Sequence, residues 1–184
     1  MSENKRIASG ISETSETYEQ YEIERKFLIK YPDIETLEHM QKYSCTGIIQ
    51  TYLKTERAGE VVRVRQSDNS GKHIYTETVK MNVSDIRRIE KERRITPTEY
   101  NTLIHNADSS LKQIRKNRHS FCYLDQVIEI DIYPFWRDCA ILEVELQEEC
   151  QEIVLPDFIQ VIREVTGDSR FSNRGLADKI PADF

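Results

Sequence analysis

The 184-residue chain has little apolar material, with a hydrophobic fraction of 38% against a charged fraction of 32%. An ordinary globular domain carries roughly 45–50% apolar residues, so part of the charge is expected inside. There is no run of about 18 apolar residues to span a bilayer and no basic-then-apolar signal sequence, which predicts a soluble, cytoplasmic protein without a membrane partner. Cys45, Cys122, Cys139 and Cys150 form no CxxC pair, so reduced thiols are expected and a structural disulfide or zinc site is not. His39, His73, His105 and His119 lack HxH or HxxxH spacing and read as solvated or packing residues. No GxxxxGK[S/T] phosphate loop is present, which excludes one large class of nucleotide enzymes. No fixed-length repeat is evident, which excludes a solenoid. The formal net charge of -6 argues against general nucleic-acid binding and leaves a local basic cavity open.

Residues 1–18 are rich in Ser, Glu and Thr and predict a flexible tail that cannot offset the entropy of ordering. The remainder, 19–184, suits one domain. Short β-rich segments recur at 21–29, 47–54, 60–66, 73–80, 87–95, 113–123, 127–133 and 139–146. Asp68-Asn69-Ser70-Gly71 marks one turn, and Leu124-Asp125-Gln126 is short enough for a hairpin. Helices are expected at 32–43, 98–107 and 156–166. The second starts well, with Thr96 as N-cap, Pro97 first and Glu99 three residues after the cap. The third rests on the spacing of Pro156, Phe158, Ile159, Ile162 and Val165, with Gly167 as its stop.

Residues i and i+2 of a strand share a face, about 6.5–7 Å apart. On that parity Glu22, Glu24 and Lys26 lie together, as do Arg63 with Arg65, Glu90 with Glu92 and Arg94, Lys116 with Arg118, Glu129 with Asp131, and Glu143 with Glu145. Lys80 ends the fourth segment, opposite in parity to Val79. Any one strand reads as the wet side of an antiparallel sheet. The set is harder to read so, because a wet face gains from opposite charges and these pairs are like-charged. A closed barrel of eight antiparallel strands gives each strand an inside and an outside. If the apolar parity faces outward under the helices, eight acids and seven bases share the interior. Carboxylates are the ligands of Mg²⁺ or Mn²⁺, while Arg and Lys hold phosphate oxygens. Such a cavity suits a metal-polyphosphate, and phosphoryl transfer within it needs no side-chain nucleophile.

Glu22-Ile-Glu-Arg-Lys26-Phe-Leu-Ile29 resembles the N-terminal ExExK signature of the CYTH, or triphosphate tunnel metalloenzyme, superfamily. The resemblance continues through Gln50-Thr-Tyr-Leu53, Val62-Arg-Val-Arg65, Thr78-Val-Lys80, Ile89-Glu-Lys-Glu92, Ile128-Glu-Ile-Asp131, Leu142-Glu-Val-Glu145 and Val165-Thr-Gly-Asp-Ser-Arg170-Phe-Ser-Asn173. It implies a mainly β (α+β) fold, an eight-stranded antiparallel closed tunnel with helices outside, binding one or two Mg²⁺ or Mn²⁺ ions and a triphosphate. It also implies metal ligation by Glu22, Glu24, Glu143 and Glu145, with Glu90 and Glu92 as supporting acids. Lys26, Arg63, Arg65, Lys80 and Arg118 would hold phosphates, joined on the charge pattern by Arg94 and Lys116. Glu129 and Asp131 would ligate metal or position water, and Tyr52 would partner Lys26, the other reading of Tyr52 being a packing aromatic. The family's C-terminal run often has Lys before Arg, whereas Asp168-Ser169-Arg170-Phe171 has Ser. Arg170 would remain as a phosphate contact, and whether Arg174 substitutes spatially is left open by the sequence.

Within the superfamily the run resembles the small bacterial inorganic triphosphatases, so hydrolysis of inorganic tripolyphosphate is expected. The alternatives are a nucleoside or thiamine triphosphatase, a class IV-type adenylate cyclase, and a polyphosphate-binding module without turnover; fold does not choose among them. Phe135 and Trp136 lie in a loop and read as base-binding or lid-packing aromatics. The oligomeric state, a homodimer included, stays open.

Overall fold

The computed structural model describes residues 17–82 and 87–182, with the side chains of 17–22, 82 and 87–89 outside the description. Residues 1–16 of the expected tail lie outside it as well. Nine strands follow in chain order: β1 (Thr17–Lys30), β2 (Gln41–Leu53), β3 (Glu60–Asn69), β4 (Lys72–Asn82), β5 (Arg87–Ile95), β6 (Ile114–Tyr123), β7 (Gln126–Ile132), β8 (Cys139–Leu146) and β9 (Val161–Glu164). Three short helices join them: α1 (Ile34–Glu38), α2 (Pro97–Leu103) and α3 (Asn173–Asp178).

All strand pairs are antiparallel, in the order β5-β4-β3-β2-β6-β7-β8-β1-β9, and β1 pairs in addition with β5. Ile23 is the pivot, because it pairs Arg87 of β5 on one edge of β1 and Leu146 of β8 on the other. The eight-stranded closed barrel is thus corrected in two respects. The described residues form nine strands, and the sheet does not close along its full length: β5 reaches only residues 17–23 of β1, and the same edge pairs β9 at residues 27–29.

The helix expected at 156–166 is overturned by β9. The free edge of β1 supplies main-chain partners, with the Lys30 N–H bonded to the Gln160 carbonyl at 2.9 Å and the Val165 N–H to the Lys26 carbonyl at 2.8 Å. β-branched Val161, Ile162 and Val165 suit that extended backbone. The spacing that suggested a helix does not bury one face, since Ile159 and Val165 are buried while Phe158 and Ile162 are exposed. Arg25 then clasps Glu164 of β9 in a two-pronged ion pair at 2.8 and 2.6 Å. The first expected helix, 32–43, shrinks to α1, because β2 begins at Gln41.

Local signals elsewhere act as their chemistry requires. Thr96 and Glu99 form a reciprocal capping box with Pro97 in the first turn of α2. The β3–β4 turn places Ser70 and Gly71 at positive φ, and Asp68 accepts from the Gly71 N–H at 2.8 Å. The β6–β7 hairpin turns on Leu124 and Asp125 at φ 46 and 62.

Outward-facing apolar residues of β1, β6, β7 and β8 form one core, including Phe27, Phe121, Ile128, Ile130, Leu142 and Val144, closed over by Leu37 of α1 and by Ile159. Leu53, Val64 and Ile95 form a second, covered by Tyr100 of α2. A third fills one end of the inner face, where Leu28, Ile114 and Ile141 meet Phe171 and Leu176. Each fully buried aliphatic side chain contributes about 1.5–3 kcal/mol, so the outer parity supplies the adhesion and leaves the inner face free for charge.

Candidate active site

The inner face encloses a cavity of about 1230 Å³. Of the residues anticipated from the sequence, Glu24, Lys26, Tyr52, Arg63, Arg65, Lys80, Glu90, Glu92, Arg118, Glu129, Glu143, Glu145 and Arg170 line it. Glu22 has its side chain outside the described residues. Asp131 and Lys116 are fully buried outside the cavity lining and salt-bridged to each other. Arg94 has the right parity but lies near the end of β5, exposed.

The β7–β8–β1 wall is acidic. Register places Glu24 opposite Glu145, Lys26 opposite Glu143, and Glu129 opposite Glu143. Directly opposed residues have Cβ atoms about 4.5–5.5 Å apart, so four carboxylates crowd three strands. Two cations organise them. Lys26 Nζ lies 2.7 Å from Glu143 and 3.2 Å from Glu24. Arg118 grips Asp131 with two nitrogens at 2.7 and 2.8 Å, Glu143 at 2.6 Å, and Glu129 besides. Burial alone would raise the Glu143 carboxyl, but Lys26, Arg118 and Lys116 hold it well below the usual range. Burial also dominates at Glu129, where the opposing pull of Arg118 does not prevent a raised value. Burial pushes Lys116 down to about 8, with Arg118 adding to the push and Asp131 resisting it.

The β3–β4–β5 wall carries Arg63, Arg65 and Lys80 beside Glu90 and Glu92. Arg63 lies 3.6 Å from Glu90, and Lys80 pairs with the same carboxylate. Thr78 donates to Glu92 at 2.8 Å. Arg65 donates only to the neutral Gln50 carbonyl, at 3.3 Å, and its buried Nε has no acceptor among the described residues. Burial and the neighbouring Arg63 and Arg118 bring Arg65 down to about 9. A guanidinium in that position is short of counter-charge. Buried Gln50 also donates to the Tyr52 hydroxyl at 2.7 Å. Tyr52 thus packs in the apolar cluster at one end of the inner face, is one of the residues that line the cavity, and has Gln50 as its hydroxyl's hydrogen-bond partner. Burial raises that hydroxyl, opposed by the charges of Arg63, Arg65 and Lys26.

Glu24 and Glu145 suit a hard divalent cation, since Mg²⁺ is commonly held by one or two carboxylates together with substrate phosphates. Among the described residues no three His, Cys, Asp or Glu side chains form a metal cage. The four cysteines are free. No described helix is long and apolar enough to cross a membrane.

The sequence reading missed part of the wall. Glu60, Asn173, Asp178 and Lys179 also line the cavity, and Arg174, named only as a spatial substitute, lines it too. The signal for α3 is slight: Ser172 caps the Gly175 N–H at 3.0 Å, and Leu176-Ala177 is its buried pair. Six residues give too few turns for a helical period to be read. Trp136 is not a cavity residue but packs edge-on to Tyr133 and Phe135, with Phe171 beyond.

The CYTH domain model matches residues 20–172. Among solved structures, the chain is similar to the inorganic triphosphatase NE1496, with 28% identity over 87% of this chain and 96% of that one and a TM-score of 0.54. PH1819 from Pyrococcus horikoshii is 19% identical over 72% of this chain and 80% of its own, with a TM-score of 0.52. A putative adenylate cyclase from Bacillus halodurans is 16% identical over 71% and 83%, with a TM-score of 0.50. No curated protein matches. The match to the domain model extends over most of the sequence, from β1 to the Ser172 cap, and the chain belongs to the CYTH domain family.

Proposed function

We propose that the chain is a divalent-metal-dependent hydrolase of a triphosphate, with inorganic tripolyphosphate as substrate. The observation that carries this reading is the division of one cavity into an acidic wall on β7, β8 and β1 and a wall on β3 and β4 with an under-compensated Arg65. Arg63, Arg65 and Lys80 hold the phosphate oxygens, with Arg in forked contacts and Lys as a point charge. Glu24 and Glu145, joined by Glu143, hold Mg²⁺ or Mn²⁺. A bound divalent ion neutralises phosphate charge and polarises the leaving group. Glu129 stands beside this group with a carboxyl raised by burial, which suits it to accept a proton from the attacking water. Lys26 and Arg118 keep Glu143 ionised and oriented, and Asp131 anchors Arg118 from below.

Inorganic over nucleotide substrate is favoured by the lining, in which Tyr52 is the only aromatic among the described residues; a base calls for a stacking platform. The similarity to the inorganic triphosphatase NE1496 supports the same choice. The test is phosphate release from tripolyphosphate by purified protein with Mg²⁺ or Mn²⁺, beside ATP and thiamine triphosphate, with cyclic AMP also sought. Tripolyphosphate bound without release, unchanged in Glu143→Ala, would defeat the proposal.

A further inference from the structure

Gln50 is fully buried on β2, outside the cavity lining, where it reaches two cavity residues at once. It is the cross-strand partner of Arg65 on β3 and shares its parity with Tyr52, two residues on. Its amide bridges the two side chains: Arg65 Nη2 donates to Gln50 Oε1 at 3.3 Å, and Gln50 Nε2 donates to Tyr52 Oη at 2.7 Å. An amide can face either way, and here its neighbours decide. A guanidinium has donors and no acceptor, so only the amide oxygen can meet Arg65, and turning the amide over would set donor against donor. The nitrogen is left for Tyr52, whose hydroxyl is the acceptor in that bond.

A hydroxyl that accepts still has a proton to donate. Among the described residues the bond from Gln50 is the only one that Tyr52 Oη makes, and nothing accepts its proton. The charges that act on this hydroxyl belong to Arg63, Arg65, Lys26 and Arg174, all cations with no lone pair to offer. Burial outweighs them and raises the hydroxyl above its ordinary value, so the phenol keeps its proton at neutral pH. A buried donor among cations is matched by an anionic oxygen, the partner that makes the stronger, charge-assisted bond. Arg65 and Tyr52 both line the cavity, and the buried Arg65 Nε likewise lacks an acceptor among the described residues. One neutral amide therefore joins two open donors and polarises in one direction, from guanidinium to phenol.

We infer that Gln50 is a positioning residue: by accepting from Arg65 and donating to Tyr52 it sets the direction of the chain, so that the Tyr52 hydroxyl donates its proton to a phosphate oxygen of the ligand. Gln50 has this role on the triphosphatase reading, which supplies the ligand, while the direction of the chain follows from the amide itself. Tyr52 is then a hydrogen-bond donor to the ligand and not a proton acceptor. A carboxylate at position 50 would reverse the chain, because it accepts from Arg65 and from Tyr52 alike and turns the phenol proton away from the cavity.

The experiment is a double-mutant cycle of Q50E and Y52F. It is read in Kd for tripolyphosphate by calorimetry without metal, and in KM for phosphate release with Mg²⁺. Losing one hydrogen bond to a charged oxygen predicts that Y52F raises both about tenfold in the wild-type background. In the Q50E background Y52F changes them less than about twofold, because the new carboxylate already engages the phenol proton. Should Q50E not fold, Q50M takes its place. It offers neither acceptor nor donor, and it should hold the Y52F effect below about threefold. A merely structural role for Gln50 gives losses that multiply independently. A Y52F effect of equal size in both backgrounds, or no Y52F loss in wild type, therefore overturns the positioning role and leaves the triphosphatase reading standing. Wild type that binds tripolyphosphate without releasing phosphate removes hydrolysis, while the cycle in Kd still decides on Gln50. Wild type that does neither overturns both.

Discussion

Lys26 and Glu143 occupy paired positions on β1 and β8, with Nζ 2.7 Å from one carboxylate oxygen while Arg118 closes on the other at 2.6 Å. One carboxylate therefore serves two cations in a buried setting. Removing one member of a buried ion pair costs about 3–5 kcal/mol, so Glu143→Gln should unfold at lower denaturant concentration and lose phosphate release. Burial would raise this carboxyl, but Lys26, Arg118 and Lys116 depress it well below its ordinary 4.5. A depressed carboxyl contributes stability that is complete above its unfolded value and drains away as pH falls through the native one. The melting temperature of wild type should fall progressively below about pH 4.5, and the Gln variant should show a shallower decline. Equal slopes would remove Glu143 from the acid response.

Glu24 and Glu145 face each other across the same strand pair, and like charges directly opposed are destabilising. Lys26, 3.2 Å from Glu24, offsets part of that repulsion, so Glu24→Gln or Glu145→Gln should leave the metal-free melting temperature close to that of wild type. The same variants should show a weaker melting shift on adding Mg²⁺ or Mn²⁺, with phosphate release reduced at least about a hundredfold. A chelator should abolish release in wild type. Full metal response in either variant would exclude that residue from the metal site.

Arg65 carries its charge at a cost, since burial and two neighbouring arginines bring it down to about 9. For a base with a lowered native value, the penalty is present below that value and relieved above it. Arg65→Met should accordingly stabilise the ligand-free protein at neutral pH. It should also lose the stabilisation that an anion confers on wild type, about 2.7 kcal/mol at a hundredfold excess over Kd. Melting with and without tripolyphosphate separates the two effects, and a less stable ligand-free variant would contradict the charge argument.

Gly175→Ala would drive a Cβ to within 2.0 Å of the Ser169 carbonyl oxygen. The obstacle is backbone and cannot rotate away, so the C-terminal turn must move. A cost of about 1–3 kcal/mol is expected, as for overpacking elsewhere, together with a raised KM for tripolyphosphate. Denaturant unfolding and steady-state kinetics on the one variant measure both, and an unaltered melting curve would argue for slack in this segment.

Strand parity carried most of the legible information. The spans 87–95 and 139–146 coincide with β5 and β8, and most of the charges sorted to the inner face line the cavity. Parity names a face but not a depth. Lys116 and Asp131 share the inner parity yet are buried outside the cavity lining, and Arg94 shares it at an exposed position. Periodicity failed at 156–166, where five apolar positions fitted a helix but the open edge of β1 offered stronger main-chain partners. Asn173 and Asp178 escaped because six helical residues leave no period, and the sequence could name Arg174 only as an alternative to Arg170.

The two halves of β1 do separate jobs. Residues 24–26 carry the charges and lean on β8, while residues 17–23 meet β5. Enclosure and grip can therefore be uncoupled: parting the β1–β5 seam would turn the chamber into a trough while leaving the Lys26–Glu143 contact in place. A phosphate chain tethered to a bulky body could then be laid in from the side instead of being threaded from an end, so the width of what hangs from the phosphates need not be limited by the bore.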